Sequence, residues 1–295
     1  RRYISLKNLV DPWNVLLGMI DSYRLLRKQN PALVFSKGGF VAFPVVVGAW
    51  LNGIPVVAHE SDMSPGLANR LSFPFVKAIC LTFAAANAHV KTKHPVYVTG
   101  TPIRRALFEG NKRRGLSRCG FDETKPCLLV FGGSQGAFQI NRCIRESLDY
   151  LVERFQIIHL CGQGHLDESL KDRPNYFQME YAAEDMADFL AASDLVISRA
   201  GANSLYELLA LAKPHLLIPL PLGSSRGDQI QNAAYFESAG VSTVIPEAGL
   251  TPQALCAGID HAILNQAEII SKIKALNIES GVLKIVEIIE RYARV

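Results

Sequence analysis

The chain has 295 residues, 49% of them hydrophobic and 20% charged, with a formal net charge of +4 and a pI near 8.7. That composition excludes an intrinsically disordered protein and suffices for two cores of ordinary domain size. The basic excess is small and forms no aromatic-interleaved run, so nucleic acid is not an expected partner.

The first expected helix opens at Asp11-Pro12, with Asp as N-cap and Pro at the first helical position, and runs to about Lys28. Arg1, Arg2, Lys7, Arg24, Arg27 and Lys28 flank an apolar face of Trp13, Leu16, Leu17, Ile20 and Tyr23. Two readings stand: a plain core helix, or a basic, aromatic face that dips into an anionic membrane surface. Strands are expected at 32–36, 55–59, 78–82 and 96–99, with helices at 43–51 and 66–72 between them. A basic, turn-rich segment that includes Lys112-Arg113-Arg114 then leads to Pro126, and a domain linker is placed near its start. A second series follows, with strands at 127–131, 156–161, 175–179, 195–198, 215–219 and 241–245. Its helices are expected at 137–154, 184–192, 202–211 and 229–238, and further helical segments close the chain, the last an amphipathic stretch at 282–292.

Apolar runs alternating with helical periodicity signal parallel α/β sheets. Two doubly wound, Rossmann-like domains in tandem are therefore the expected fold class. The boundaries read as 1–104, 105–275 and a C-terminal helical segment 276–295 that packs back on the first domain. No apolar run reaches membrane-spanning length; the longest, 40–51, contains Pro44 and ends at Asn52-Gly53. The six cysteines, Cys80, Cys119, Cys127, Cys143, Cys161 and Cys256, form no C-x-x-C pair and no zinc-like spacing with histidine. No cofactor is expected and a divalent metal is not implied. With no secretory signal visible, a reducing cytoplasm is the expected compartment.

In doubly wound sheets ligands bind outside the carboxyl ends of strands, and the suggestive motifs sit there. Gly132-Gly133-Ser134-Gln135-Gly136 joins a strand to a helix. Glycines let another group approach the backbone, and the helix start offers unpaired N–H groups and a positive dipole end. The loop is either an anion site, phosphate being the usual guest, or a tight packing turn. It has neither the P-loop lysine nor the dinucleotide fingerprint. Arg199-Ala200-Gly201-Ala202 turns into a helix carrying Glu207, whose two oxygens suit a ribose diol or simply face solvent. Asp228-Gln229 opens another helix, either against sugar hydroxyls or as an ordinary cap. Three such loops in order describe a pocket for a nucleotide diphosphate and a sugar.

These motifs, with Gln229-x-x-Asn232-Ala233, resemble the donor domain of the MurG family of lipid II-forming glycosyltransferases. The first half resembles it too, through Lys37-Gly38-Gly39-Phe40, His59-Glu60-Ser61-Asp62, Pro65-Gly66-Leu67-Ala68-Asn69 and Gly100-Thr101-Pro102-Ile103-Arg104. The resemblance covers nearly the whole chain in the right order. It implies the GT-B fold, two Rossmann-like domains facing a cleft, and inverting transfer of N-acetylglucosamine from UDP-GlcNAc to undecaprenyl-pyrophosphoryl-MurNAc-pentapeptide, lipid I. It further implies uracil near Arg199 and Ala202, ribose on Glu207, diphosphate on Ser134 and the helix behind it, Gln135 within the same UDP-GlcNAc site, support of that loop by Asn141, and GlcNAc against Asp228 and Gln229. Asn232 would fix the helix of these two, and Arg104 would reach the phosphates. His59 and Glu60 are the candidate proton-transfer residues, or else a structural histidine and a loop-orienting carboxylate. Gly38, Gly39 and Asn69 fall on the acceptor side. The implied location is the cytoplasmic face of the bacterial membrane.

Some positions depart from the family's pattern. Phe40 stands for Tyr, Asp62 and Thr101 for Asn, and Asp228-Gln229 for Gln-Gln, which weakens any role given to those side chains. The family also carries an upstream glycine-rich loop that does not precede Lys37 here. The first domain is therefore expected to be incomplete, with donor binding weak but measurable and turnover poor. The alternatives are another UDP-sugar glycolipid transferase and a catalytically silent nucleotide-sugar binder.

Overall fold

The computed structural model describes residues 11–133 and 135–294. The chain divides into two compact units, one formed by the chain up to Pro102 together with the segment from Ser280 on, the other by Ile103–Glu279.

The first unit holds α1 (Asp11–Gln29), β1 (Val34–Ser36), α2 (Ala42–Leu51), β2 (Val56–Glu60), α3 (Leu67–Ser72), β3 (Ala78–Leu81) and β4 (Val96–Val98). Its four strands pair in the order β1-β2-β3-β4, all parallel. Successive side chains of a strand point to opposite faces, and here each face has its own core. Val56, Ala58, Ile79 and Leu81 pack with Val46 and Ala49 of α2 and Leu26 of α1. Val57, Ala78 and Cys80 pack on the other face with Ile285 and Ile288, which belong to the last helix. A Cβ on Gly48 would lie 2.9 Å from Ser22 Cβ and from the Tyr23 nitrogen, so glycine lets α1 and α2 pack closely.

The second unit holds α4 (Lys112–Arg118), β5 (Cys127–Phe131), α5 (Phe138–Glu146), α6 (Leu148–Arg154), β6 (Gln156–Leu160), β7 (Tyr176–Met179), α7 (Met186–Ala192), β8 (Leu195–Ser198), α8 (Ala202–Ala210), β9 (His215–Leu217), α9 (Asp228–Ser238), β10 (Thr243–Val244), α10 (Pro252–Leu264) and α11 (Gln266–Ala275). α12 (Val282–Tyr292) returns to the first unit. The strand order is β10-β9-β8-β5-β6-β7, again parallel throughout. The order reverses direction at β5, and such a switch point is where open α/β sheets bind ligands.

Two elements differ from the sequence reading. The 137–154 helix is two, because the Ser147 hydroxyl donates to the Cys143 carbonyl (2.9 Å) and a new helix starts at Leu148. The basic segment after residue 104 contains a helix, α4. Asn111 Oδ1 caps it by accepting from the Arg114 N–H (3.0 Å), and Arg114 forms two hydrogen bonds with Asp188 of α7, at 2.8 and 2.7 Å. Gly115 reads as a helix breaker, but a Cβ there would meet the Asp188 carbonyl oxygen at 2.3 Å, so glycine lets α4 lie on α7.

Candidate functional site

At the end of β5 the glycine loop turns sharply into α5. A Cβ on Gly132 would meet Ala137 Cβ at 2.2 Å, and Gly133 and Gly136 take φ of +94° and +74°, a region that favours glycine. The Gly136 N–H donates to the Gly133 carbonyl (2.9 Å), closing the turn. Ser134, expected on the diphosphate, lies outside the described residues. Gln135 lines the cavity formed here.

The Arg199–Ala202 turn follows β8, the neighbour of β5. Arg199 donates to the Ile218 carbonyl (3.0 Å) and is ion-paired with Glu247, so its guanidinium is fixed. Gly201 caps α8, whose first residue, Ala202, is buried. Glu207 lies half-buried further along α8. Asn232 of α9 is fully buried and donates to the Ala200 carbonyl (3.1 Å), tying the start of α9 to the Arg199 turn. Gln229 accepts from the Leu220 N–H (3.1 Å). Asp228 is the first residue of α9 and Gly227, at φ +84°, is its N-cap; Asp228 Oδ1 accepts from the Arg226 N–H (3.2 Å). Arg104 is exposed at the start of a 3₁₀ turn, Arg105–Glu109.

The loops after β5, β8 and β9 enclose a cavity of about 330 Å³, lined by Gly132, Gly133, Gln135, Arg199, Gly201 and Gln229 among others. It is large enough for part of a nucleotide and has backbone N–H groups and polar side chains in its walls. Ser204 and Leu220 also line it, and nothing in the sequence singled them out.

A sequence profile described as "Glycosyltransferase family 28 C-terminal domain" matches residues 127–289, and "Glycosyltransferase family 28 N-terminal domain" matches 1–81. The UDP-N-acetylglucosamine--N-acetylmuramyl-(pentapeptide) pyrophosphoryl-undecaprenol N-acetylglucosamine transferase of Legionella pneumophila (strain Paris) is 60% identical over 295 residues, spanning 100% of this chain and 81% of the relative. The chain is a family 28 glycosyltransferase of the MurG group. The Clostridium botulinum (strain 657 / Type Ba4) protein of the same name is 50% identical over 294 residues, covering 100% of this chain and 83% of its own. Among solved structures, Acinetobacter baumannii MurG superposes with a TM-score of 0.74 at 24% identity, over 95% of this chain and 79% of that one. The UDP-GlcNAc 2-epimerase of Neisseria meningitidis, solved bound to UDP-GlcNAc, gives 0.68 at 14% identity, over 99% and 83%. These likenesses establish the GT-B type of fold, two parallel-sheet α/β domains.

In this family 28 chain the first unit gathers the other motif residues around the end of β2. His59 is fully buried, with Nε2 3.0 Å from the Gly100 carbonyl oxygen. A carbonyl only accepts, so Nε2 carries the hydrogen. Burial, with the Lys37 charge adding to it, lowers the imidazole pKa to about 4. Glu60 Oε1 accepts from the Asp62 N–H (3.0 Å), and Oε2 accepts from the Gly66 N–H (3.1 Å) and Asn69 Nδ2 (2.8 Å). Asn69 also donates to the His59 carbonyl (3.2 Å). Its amide lies against Gly38, where a Cβ would meet Asn69 Oδ1 at 2.7 Å. Gly38 and Gly39 take φ of +79° and +91°.

Both side chains are buried: Glu60 is held by two backbone N–H groups and by Asn69, and His59 Nε2 by the Gly100 carbonyl, an arrangement that suits the structural histidine and the loop-orienting carboxylate. Asn141 is likewise buried, donating to the Cys161 carbonyl (2.8 Å), and supports a loop rather than facing the cavity after β5.

Proposed function

We propose that this chain transfers N-acetylglucosamine from UDP-GlcNAc to N-acetylmuramyl-(pentapeptide) pyrophosphoryl-undecaprenol, converting lipid I to lipid II in peptidoglycan synthesis. The 60% identity with the Legionella enzyme across every residue of the chain carries this reading. The cavity at the switch point of the second sheet supports it.

In this reading the diphosphate lies on the glycine loop and the start of α5. The uracil stacks by the Arg199–Ala202 turn, Glu207 takes the ribose hydroxyls, and Asp228 and Gln229 face the sugar. Arg104 and Ser134 add donors to the phosphates. The acceptor hydroxyl attacks the anomeric carbon from the side opposite the leaving group. The new C–O bond forms as the bond to the β-phosphate oxygen breaks, with inversion, and the hydroxyl proton passes to a base. UDP leaves with added negative charge, which the loop N–H groups and the helix dipole stabilise where it develops. This scheme uses no cofactor and no divalent metal, so turnover in excess EDTA should equal turnover without it.

The lipid acceptor requires contact with a bilayer surface, and the cytoplasmic face of the membrane is where such a chain would work. In the first unit Trp13 is 62% and Phe40 63% exposed, and Leu16, Leu17, Ile20, Val41, Leu67 and Leu71 are exposed as well. Arg24, Arg27 and Lys28 near the end of α1 are exposed cations. Apolar side chains beside cations suit an anionic interface.

The deciding experiment incubates the protein with radiolabelled UDP-GlcNAc and lipid I and follows label into the lipid phase. Label in a product with a GlcNAc–MurNAc disaccharide is expected. Transfer only to a different glycolipid acceptor, or UDP-GlcNAc binding with transfer to none, would overturn the assignment.

A further inference from the structure

Behind the glycine loop lies a buried polar chain that the transfer scheme leaves unused. Asn141 commits its amide hydrogens to the Cys161 carbonyl (2.8 Å), so the atom it turns to His159 Nε2, 3.0 Å away, is the oxygen Oδ1. That oxygen only accepts, so His159 Nε2 carries the hydrogen. Nδ1 is then a lone pair, and the Tyr176 hydroxyl donates to it at 2.9 Å. The bonds run in one direction, from Tyr176 to His159 to Asn141 to the Cys161 carbonyl oxygen. All three side chains are buried, His159 completely. A directed chain of this kind in a low-dielectric interior fixes each member's position more firmly than a single bond does.

The chain ends on backbone that props the glycine loop. A Cβ on Gly136 would meet the Cys161 carbonyl oxygen at 2.3 Å, and a Cβ on Gly162 would meet the Gly136 nitrogen at 2.2 Å. The two loops are stacked backbone on backbone, and Gly162 takes φ +88°. The far end of the supporting loop is pinned too. Arg145 donates to the His165 carbonyl (2.6 Å), and Gln178 accepts from the Asp167 N–H (3.0 Å). Movement of the Cys161 carbonyl would therefore pass directly to Gly136.

We infer that His159 is a positioning residue for the donor's diphosphate, setting the height of the glycine-loop N–H groups through Asn141 and the Cys161 carbonyl. The inference rests on the reading of that loop as the diphosphate site. A loop displaced by a few tenths of an ångström loses hydrogen bonds to phosphate, while contacts to the nucleoside at the β8 turn stay as they are.

The test compares UDP with uridine, which lacks the phosphates. His159→Phe fills the space but takes away the donor to the Asn141 oxygen and the ring nitrogen that accepts from the Tyr176 hydroxyl. It should raise the Kd for UDP about tenfold and leave uridine binding unchanged. His159→Gln presents one donor and one acceptor and should restore UDP binding toward wild type. Tyr176→Phe removes a single hydroxyl and should give a smaller loss, again confined to UDP, even if His159→Phe fails to fold. The KM for UDP-GlcNAc should rise in the same order. UDP binding equal to wild type in both His159→Phe and Tyr176→Phe would overturn the inference, as would parallel losses of UDP and uridine. Failure of the wild-type protein to bind UDP would overturn the donor-site reading and this inference together.

Discussion

Glu60 accepts three hydrogen bonds, two from backbone N–H groups and one from Asn69, and so holds the corner between β2 and α3. Glu60→Gln would put an amide N–H₂ against those donors. Thermal unfolding should show the first unit destabilised by about 1–3 kcal/mol, with UDP binding by the second unit unchanged. A variant of wild-type stability whose turnover alone collapses would identify Glu60 as the base. Glu207→Ala should cost roughly 1.5–3 kcal/mol of UDP affinity by calorimetry, because a charge-assisted contact to the ribose would be lost. Buried histidines supply a pH test. Burial lowers His59 and His215 to about 4 and His159 to about 3. All lie below the ordinary value, so the unfolded chain takes up protons that the folded chain refuses. Each histidine therefore removes about 1.4 kcal/mol of stability per pH unit as pH falls below 6.5, until its folded pKa is reached. Urea midpoints measured at pH 7 and pH 5 should differ accordingly. A flat profile would mean that these rings are not neutral in the fold. At this scale the sequence was partly legible. The strand-end rule located the corner of His59 and Glu60 and the turn of Arg199. It could not say which side chains face a cavity and which are spent on backbone, since that depends on partners such as Gly100 and Gly66 that only the folded chain brings near.

Helices and loops were easier to read than side chains. β5 and β8 fall where their apolar runs place them, because a strand buried on both faces shows as an unbroken apolar run bounded by polar turns. α4 escaped because its signals are tertiary. Gly115 serves close packing on α7, and the basic residues Arg114 and Arg118 answer Asp188 and Asp185. The Gly162–Gly164 stretch after β6 is a Gly-x-Gly following a strand, a sign in the sequence of a second loop stacked on the first. α1 carries the membrane prediction. Trp13→Ser with Leu16→Ser removes two exposed apolar side chains from this helix, neither of them in a core cluster of the described residues. Sedimentation with vesicles containing anionic lipid should fall while the thermal transition stays in place. Undiminished sedimentation would place lipid contact elsewhere. Gly136→Ala tests the stacked loops at the same scale. With φ +74° and a carbonyl oxygen 2.3 Å from the new Cβ, the loop must shift, and UDP affinity should fall by at least tenfold.

At the scale of the molecule, the two units have separate cores, and the sequence announced both through two runs of alternating strands and helices. Both tryptophans, Trp13 and Trp50, lie in the first unit and are exposed. Tryptophan fluorescence therefore follows that unit alone, while circular dichroism follows both. Two of the three buried histidines belong to the second unit, so acid should melt it before the tryptophan signal changes. The first unit is also discontinuous in sequence. Ile285 and Ile288 of α12 cover Val57, Ala78 and Cys80 on one face of its sheet. Ile285→Ser with Ile288→Ser should leave that face wet and raise binding of an apolar dye, with UDP affinity retained. For a protein made from one end to the other, this arrangement sets a waiting time. After β2 and β3 leave the ribosome, all of 103–279 must be synthesised before α12 exists, which takes roughly 9–35 s at about 5–20 residues per second. Throughout that interval the nascent sheet shows a bare apolar face to solvent, and a holdase chaperone would find its substrate there.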